Sequence, residues 1–536
     1  MNRMKPIPRL CPAVPNRKGL STPVHYRNKH TTKHHMSHTL IKAFTFSGLL
    51  AAEPALSAQK TQPPNVVLIV ADDLGYGDLG CYGATKISTP NIDRLATGGI
   101  RLTDAHSPAA VCQPARYAIL SGRYYWRSTP NAGYSYYFDE GEVLLPQLLK
   151  QAGYRTSGFG KWHLGFDTKP FDINKPLTPG TREAGFDYYF GLTRSHNEPP
   201  FVFFENDRCY KHDPGDPIRM ISQKEKPHPY GWGSSEGGAA AHAARPEDEI
   251  DLIVTDRAVD YIKQQSAEQP FFIYLAYVSP HFPIVPNKKF VGTSEADRYG
   301  DFVQQLDFCV GRVLDALEQK GMSENTLIFF TSDNGGVNTG EPVAAGHRPN
   351  GGLLGQKTDA WDGGHKVPCI VRWPARLPAG KASGILFGLN DLMATILAAA
   401  NVPVPQGAAP DSINQLPVLS GEKPFVRTSM VYQGVLGFAL RQGPWVYIPD
   451  SGSQGFTTEG RFGVPYEKMG FQNSSRDAAG KLLPDAPPDQ LYNVHKDPNQ
   501  NLNVVRDYPE KARELAAHLK KILGPNTENI VNRPEK

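Results

Sequence analysis

Four stretches of the chain run into the same kind of residue. NVVLIV (65–70) leads to Asp72 and Asp73, YRTSGFG (154–160) to Lys161 and His163, PFFIYLAYVSP (270–280) to His281, and NTLIFFTS (325–332) to Asp333 and Asn334. Any one of these endings is ordinary loop polarity, and DNGG is a turn signal in its own right. Four of them, on neighbouring strands of an open α/β sheet, would bring carboxylates, a carboxamide and cations to the edge where such sheets bind ligands. Asp72, Asp73, Asp333 and Asn334 offer hard oxygen donors with no thiolate or imidazole among them. That set suits Ca²⁺ or Mg²⁺ better than Zn²⁺.

A fifth candidate is Cys112 in HSPAAVCQPARYAILSGRY (106–124). Pro114 reads as the first residue of a helix that runs to Ser121, with Gly122 just past its end. Cys112 then stands at a helix N-terminus, where free N–H groups, the positive end of the dipole and Arg116 one turn on favour an anion. Two readings stay open on these grounds: a low-pKa thiolate nucleophile, or a small buried apolar residue.

Elements that alternate in type must position these groups. In DFVQQLDFCVGRVLDALEQKG, Phe302, Leu306, Val310, Val313 and Leu317 share one helical face and Gly321 supplies the stop; DEIDLIVTDRAVDYIKQQ (248–265) repeats the pattern. Strands with crossover helices between them predict an α/β fold with a large, mostly parallel sheet. Past Pro424, FVRTSMVYQGVLGFALRQGPWVYIP predicts short antiparallel strands and YPEKARELAAHLKKIL (508–523) a closing amphipathic helix. The expected division is a leader over 1–64, a main domain over 65–424 and a smaller C-terminal α+β subdomain over 425–536. Residues 213–249 lack periodicity and read as a surface insertion. GYGDLG (75–80) fits the dinucleotide fingerprint, but no helix opens on it, and Asp72 and Asp73 would repel a pyrophosphate.

Bulk composition narrows the class. With 57 Lys+Arg against 53 Asp+Glu, no nucleic-acid partner is expected. Six cysteines do not make a disulfide scaffold. The run HYRNKHTTKHHMSH is a polar, His-rich leader. From Met36, the expected start, a Lys42-bearing stretch, a short apolar core and small residues at Ala55, Ser57 and Ala58 form a signal peptide too short to span a bilayer, so the protein is expected to be exported without a transmembrane segment.

The motifs together resemble the type I sulfatases of the alkaline-phosphatase superfamily, from about Asn65 to about Asn503. CQPAR matches that family's C-x-P-x-R and LSGR (120–123) its following block. VADDLGYGDLG, GKWHLG (160–165), SPHFP (279–283), TSDNGG and KTDAWDGGHKVP (357–368) match further blocks in the family's order. The resemblance implies that Cys112 is oxidised by a maturing enzyme to Cα-formylglycine, whose hydrate is the nucleophile. It also implies that one Ca²⁺ is held by Asp72, Asp73, Asp333 and Asn334 with an oxygen of residue 112. Arg116, Lys161 and Lys357 would neutralise the transferring sulfate, His281 would protonate the leaving alcohol and His163 would assist collapse of the sulfated hydrate. Gln113 departs from the small residue usual there, and Asp362 stands where Glu is frequent. The implied substrate is a sulfate ester, with a sulfated carbohydrate favoured and a pocket rim expected from Arg194, His196, Asn197, Arg219, Tyr230 and Trp232. A phosphate or phosphonate ester hydrolase on the same fold, or an inactive carbohydrate-binding relative, are the rival readings.

Overall fold

The computed structural model describes residues 62–128, 138–166, 171–221, 238–239, 245–457, 463–464 and 466–524. The expected leader, apart from residues 62–64, lies outside the described residues, as do Tyr230, Trp232 and much of the expected insertion.

The strand Asn65–Ala71 shows why its sequence is a continuous apolar run. Val66, Leu68 and Val70 enter one core, Val67, Ile69 and Ala71 the other, because successive side chains point to opposite faces and both faces are covered. Five parallel strands lie side by side in the order Thr326–Ser332, Asn65–Ala71, Phe271–Ala276, Arg155–Lys161, Tyr188–Leu192. Their carboxyl ends therefore share one edge. Antiparallel pairings extend the sheet through Cys369–Arg372 on one side and Phe204–Glu205 on the other, and a parallel pairing of Lys381–Ser383 with Ile100–Leu102 at one edge brings it to ten strands.

Helices cover both faces. Cys112–Ser121, Leu145–Gln151 and Asp391–Ala399 share one core with the sheet; Pro90–Thr97, Ile250–Gln264 and Asp297–Gln319 share the other. The five apolar residues expected on one face of the long helix, from Phe302 to Leu317, are all buried there, each contributing about 1.5–3 kcal/mol. Near Lys161 the strands approach closely: Gly160 has φ +96°, and a Cβ on it would lie 1.9 Å from the Ala276 carbonyl oxygen. GYGDLG is explained by packing, since a Cβ on Gly75 would lie 2.1 Å from the Pro349 carbonyl oxygen. A 3₁₀ turn occupies Gly80–Tyr82, and the first α-helix after the strand opens only at Pro90.

The smaller part is a four-stranded antiparallel sheet of Ser429–Gln433, Phe438–Gln442, Trp445–Ile448 and Gln490–Asn493. Met430, Tyr432 and Val446 on one face pack with Leu354, Ala360 and Trp361, while Val431, Leu440 and Leu491 on the other pack with Leu515 and Leu519 of the helix Pro509–Leu523. No helix among the described residues is long and apolar enough to cross a membrane.

Candidate active site

The shared sheet edge brings the expected residues together. Asp72 and Asp73 follow the central strand, and Asp333 and Asn334 follow its neighbour. The Asp73 N–H donates to Asp333 Oδ1 at 3.2 Å, and Asn334 Nδ2 donates to Asp73 Oδ1 at 2.8 Å. Lys161 ends its own strand.

Each buried carboxylate has a cation at 2.7 Å, and Asp72 has Arg116 Nη2 at 3.6 Å as well. Lys161 Nζ is 2.7 Å from Asp72 Oδ2, Lys357 Nζ is 2.7 Å from Asp73 Oδ1, and Arg116 Nη2 is 2.7 Å from Asp333 Oδ2. Burial pushes the Asp72 carboxyl up, but Lys161, His281, Arg116 and Lys357 outweigh it and hold Asp72 well below the usual range. At Asp333 burial wins over Arg116, and the carboxyl is lifted to about 6.

The helix carrying Cys112 begins at that residue, two positions before Pro114, with Val111 extended ahead of it. Gly122 closes the helix with φ +62°, as the turn required. Cys112 Sγ lies 3.4 Å from Asp72 Oδ1 and 3.7 Å from Asp73 Oδ1. Burial, and after it Asp333, pushes this thiol well above its ordinary range against the pull of Lys161 and Lys357. It is held as a thiol.

Two histidines flank the group. His281 Nδ1 sits 2.5 Å from the Phe282 carbonyl oxygen, which fixes that nitrogen as the N–H. Its Nε2, 3.6 Å from Asp73 Oδ2, is the nitrogen left for chemistry. His163 has φ +57° and a buried Nδ1 with no hydrogen-bond partner. Burial first, then Lys161, Arg194 and Arg116, keep its imidazole neutral.

Positioning residues that sequence spacing did not reveal stand behind these. Asp251, on the helix Ile250–Gln264, accepts from the N–H of Val278 at 2.9 Å and of Ser279 at 3.1 Å, and from Ser279 Oγ at 2.5 Å. It anchors the turn that presents His281. Glu198 Oε2 lies 3.6 Å from His163 Nε2. His196, expected on a rim, is instead fully buried with Nε2 3.0 Å from the His281 carbonyl oxygen. Arg219 is exposed.

A cavity of about 390 Å³ opens on Asp73, His281 and Lys357, with Asn197, Phe282, Tyr299 and Phe456 in its wall. That volume is within the usual range for small-molecule pockets. A larger one, about 520 Å³, is lined by Arg123, Asp139, Glu142 and residues 405–410 and contains none of the groups above.

Residues 64–402 match the family model described as Sulfatase. The chain is 34% identical to an N-acetylgalactosamine-6-O-sulfatase of Bacteroides thetaiotaomicron over 87% of its own length and 94% of the relative's. It is 34% identical to the human N-acetylgalactosamine-6-sulfatase over 70% of the chain and 69% of the relative. A solved structure concerned with metabolism of multiple glycosaminoglycans by Bacteroides thetaiotaomicron superposes with a TM-score of 0.75 at 33% identity, covering 86% of this chain and all of that one. A phosphonate monoester hydrolase of Agrobacterium radiobacter shares the fold, at 19% identity and a TM-score of 0.55 over 86% of this chain and 95% of that one.

Proposed function

The chain belongs to the sulfatase family and is a sulfuric ester hydrolase, and from that premise we propose that it removes sulfate from a sulfated carbohydrate, with residue 112, matured to Cα-formylglycine, as nucleophile. The observation that carries the reading is Cys112 itself. It opens a helix in a buried ring of three carboxylates and three cations, with its thiol held protonated.

A neutral hydrated aldehyde suits that place. One hydroxyl would pass its proton to an adjoining carboxylate of the ring as its oxygen attacks sulfur and the ester alcohol departs. The second hydroxyl then gives up its proton, the carbonyl re-forms and sulfate is expelled. A thiol or a serine alcohol would end as a stable sulfated side chain. A proton taken up on His281 Nε2, beside Asp73 Oδ2, would pass to the leaving alcohol, and His163, neutral and with Nδ1 unpartnered, would take the proton from the second hydroxyl. Lys161, Lys357 and Arg116 would hold the sulfate oxygens.

The donor set also fits calcium. Asp72 and Asp73 each place a carboxylate oxygen in one cluster with Cys112 Sγ, Asp333 and Asn334 adjoin them through Asp73, and Asn334 Oδ1 is buried with no hydrogen-bond partner, an unpaired hard oxygen of the kind Ca²⁺ takes. When bound there the ion would act as Lewis acid on the sulfate.

The relatives' names favour a 6-sulfated N-acetylgalactosamine unit as the sugar, and the apolar wall with few polar groups suits one ring. Export through the leader would place the enzyme where such glycans occur.

Peptide mapping tests the nucleophile. Protein co-produced with a formylglycine-generating enzyme should yield a peptide over residues 112–116 that reacts with a hydrazide and resists alkylation, and Cys112→Ala should be inactive. Full activity in protein whose Cys112 is quantitatively alkylatable would refute the proposal.

A further inference from the structure

A second cluster lies outside the groups assigned above. His106, Asp362 and His365 are fully buried, and one ligand-capable atom of each lies within 4.8 Å of the others. His106 Nδ1 and His365 Nδ1 face each other at 3.1 Å. The outer nitrogens are engaged too: His106 Nε2 is 3.0 Å from Asp104 Oδ1, and His365 Nε2 is 3.1 Å from the Ala360 carbonyl oxygen.

Counting protons exposes a deficit. Asp104 and the Ala360 carbonyl are acceptors, so each outer nitrogen must carry the N–H. A neutral imidazole has only one, so both Nδ1 atoms are left as lone pairs pointing at each other. Exchanging the tautomer of either ring merely moves the conflict to an outer contact. Three contacts need three positive bridges, and two neutral rings supply two. A cation must occupy the gap, either a third proton or a metal ion.

The surroundings decide between these. Both oxygens of Asp362 are buried without a hydrogen-bond partner, beside the rings and offering nothing but lone pairs. Imidazoles whose far N–H is tied to a carboxylate and a backbone carbonyl are the usual arrangement of metal-bound histidines. Two nitrogens at about 2.1 Å from one tetrahedral ion stand about 3.4 Å apart, close to the spacing seen.

We infer that His106, His365 and Asp362 form a second metal site, for a divalent transition ion of the zinc type, distinct from the oxygen-rich calcium candidate. Its ion staples two segments that carry the catalytic machinery. His106 precedes Cys112 by six residues and Asp362 follows Lys357 by five, and the segments already meet through Ser107 N–H to the His365 carbonyl at 2.7 Å and Thr358 N–H to the Ala110 carbonyl at 2.8 Å.

The test is metal content of the full-length protein, purified without metal-affinity resin, incubated with tenfold Zn²⁺ or Co²⁺, then dialysed against a calcium chelator and gel-filtered. Wild type should retain close to one equivalent, and the cobalt form should show the intense visible bands of a four-coordinate site. Asp362→Asn and, separately, His106→Gln should lower retention at least tenfold while keeping the wild-type circular dichroism. Retention below a tenth of an equivalent in folded wild type would overturn the inference and leave a shared proton. Undiminished retention in folded variants would overturn it too, placing the ion elsewhere, as in the His-rich leader. Should both variants fail to fold, wild-type retention without the cobalt bands would refute it and retention with them would support it.

Discussion

Asp251→Asn probes the turn that presents His281, and its pH signature follows from the structure. Burial lifts the Asp251 carboxyl to about 6 from an ordinary 3.8, although Ser279 and Val278 donate to it. Between those pH values the folded chain keeps the proton and the unfolded chain does not. Stability from this group is therefore greatest at low pH and falls as pH rises through 6. Over the whole interval the loss is about 3 kcal/mol, at about 1.4 kcal/mol per pH unit; between pH 4.5 and 7.5 about 2 kcal/mol of it is realised. The asparagine does not titrate, but its amide N–H₂ must face one of three donors, a constant cost of about 1–3 kcal/mol. At pH 4.5 the variant should be the less stable protein, and by pH 7.5 the gap should close or reverse. Unfolding entropy at about 2.1 cal/mol/K per residue makes 2 kcal/mol roughly 2 °C in a unit of this size. Thermal unfolding of both proteins across that range measures the double difference, in which carboxylates common to both cancel. A gap that stays constant, or widens with pH, would refute the reasoning.

His281→Ala should slow esters with poor leaving groups by about 10²–10⁴ and activated aryl sulfates far less, read as the slope of log kcat against leaving-group pKa; equal losses across the series would remove the general-acid role. Gly160→Ala should destabilise by more than about 3 kcal/mol or yield no soluble protein, because its Cβ would lie 1.9 Å from the Ala276 carbonyl oxygen; urea unfolding with a near-native midpoint would contradict the close approach. Chelating calcium should lower both activity and Tm, with recovery on adding Ca²⁺ but not Mg²⁺, since Mg²⁺ demands tighter octahedral geometry than a four-donor protein set supplies.

The strand-end residues were legible because a parallel sheet sends every carboxyl terminus to one edge, so local sequence suffices to place Asp72, Lys161 and Asp333 near one another. The helix stop at Gly122 and the apolar face from Phe302 to Leu317 were legible for the same local reason. The start of the Cys112 helix was missed by two residues, because Pro fits several positions of a first turn and the extended Val111 carries no sequence mark. Asp251, Glu198 and His196 were illegible as positioning groups. Each acts on a loop reached only through tertiary packing, and Asp251 looks in sequence like any acidic residue in the first turn of a helix. The His106 and His365 pair lies 259 residues apart, with no spacing motif to join it.

The helix N-terminus alone leaves Cys112 open to the thiolate reading, and its burial among paired charges closes it. A helix dipole favours an anion by about 0.3–1 kcal/mol, up to about 2 in partly buried sites. Burial opposes a thiolate most and Asp333 next, with Asp72, whose Oδ1 lies 3.4 Å from the sulfur, adding to them. Lys161 and Lys357 push the other way, but both are already engaged by Asp72 and Asp73 at 2.7 Å, so each cation largely cancels the carboxylate it touches. Burial then decides, and it favours the neutral thiol. The same balance would leave the proposed neutral hydrated aldehyde undisturbed. It also leaves the three carboxylates and three cations as matched pairs.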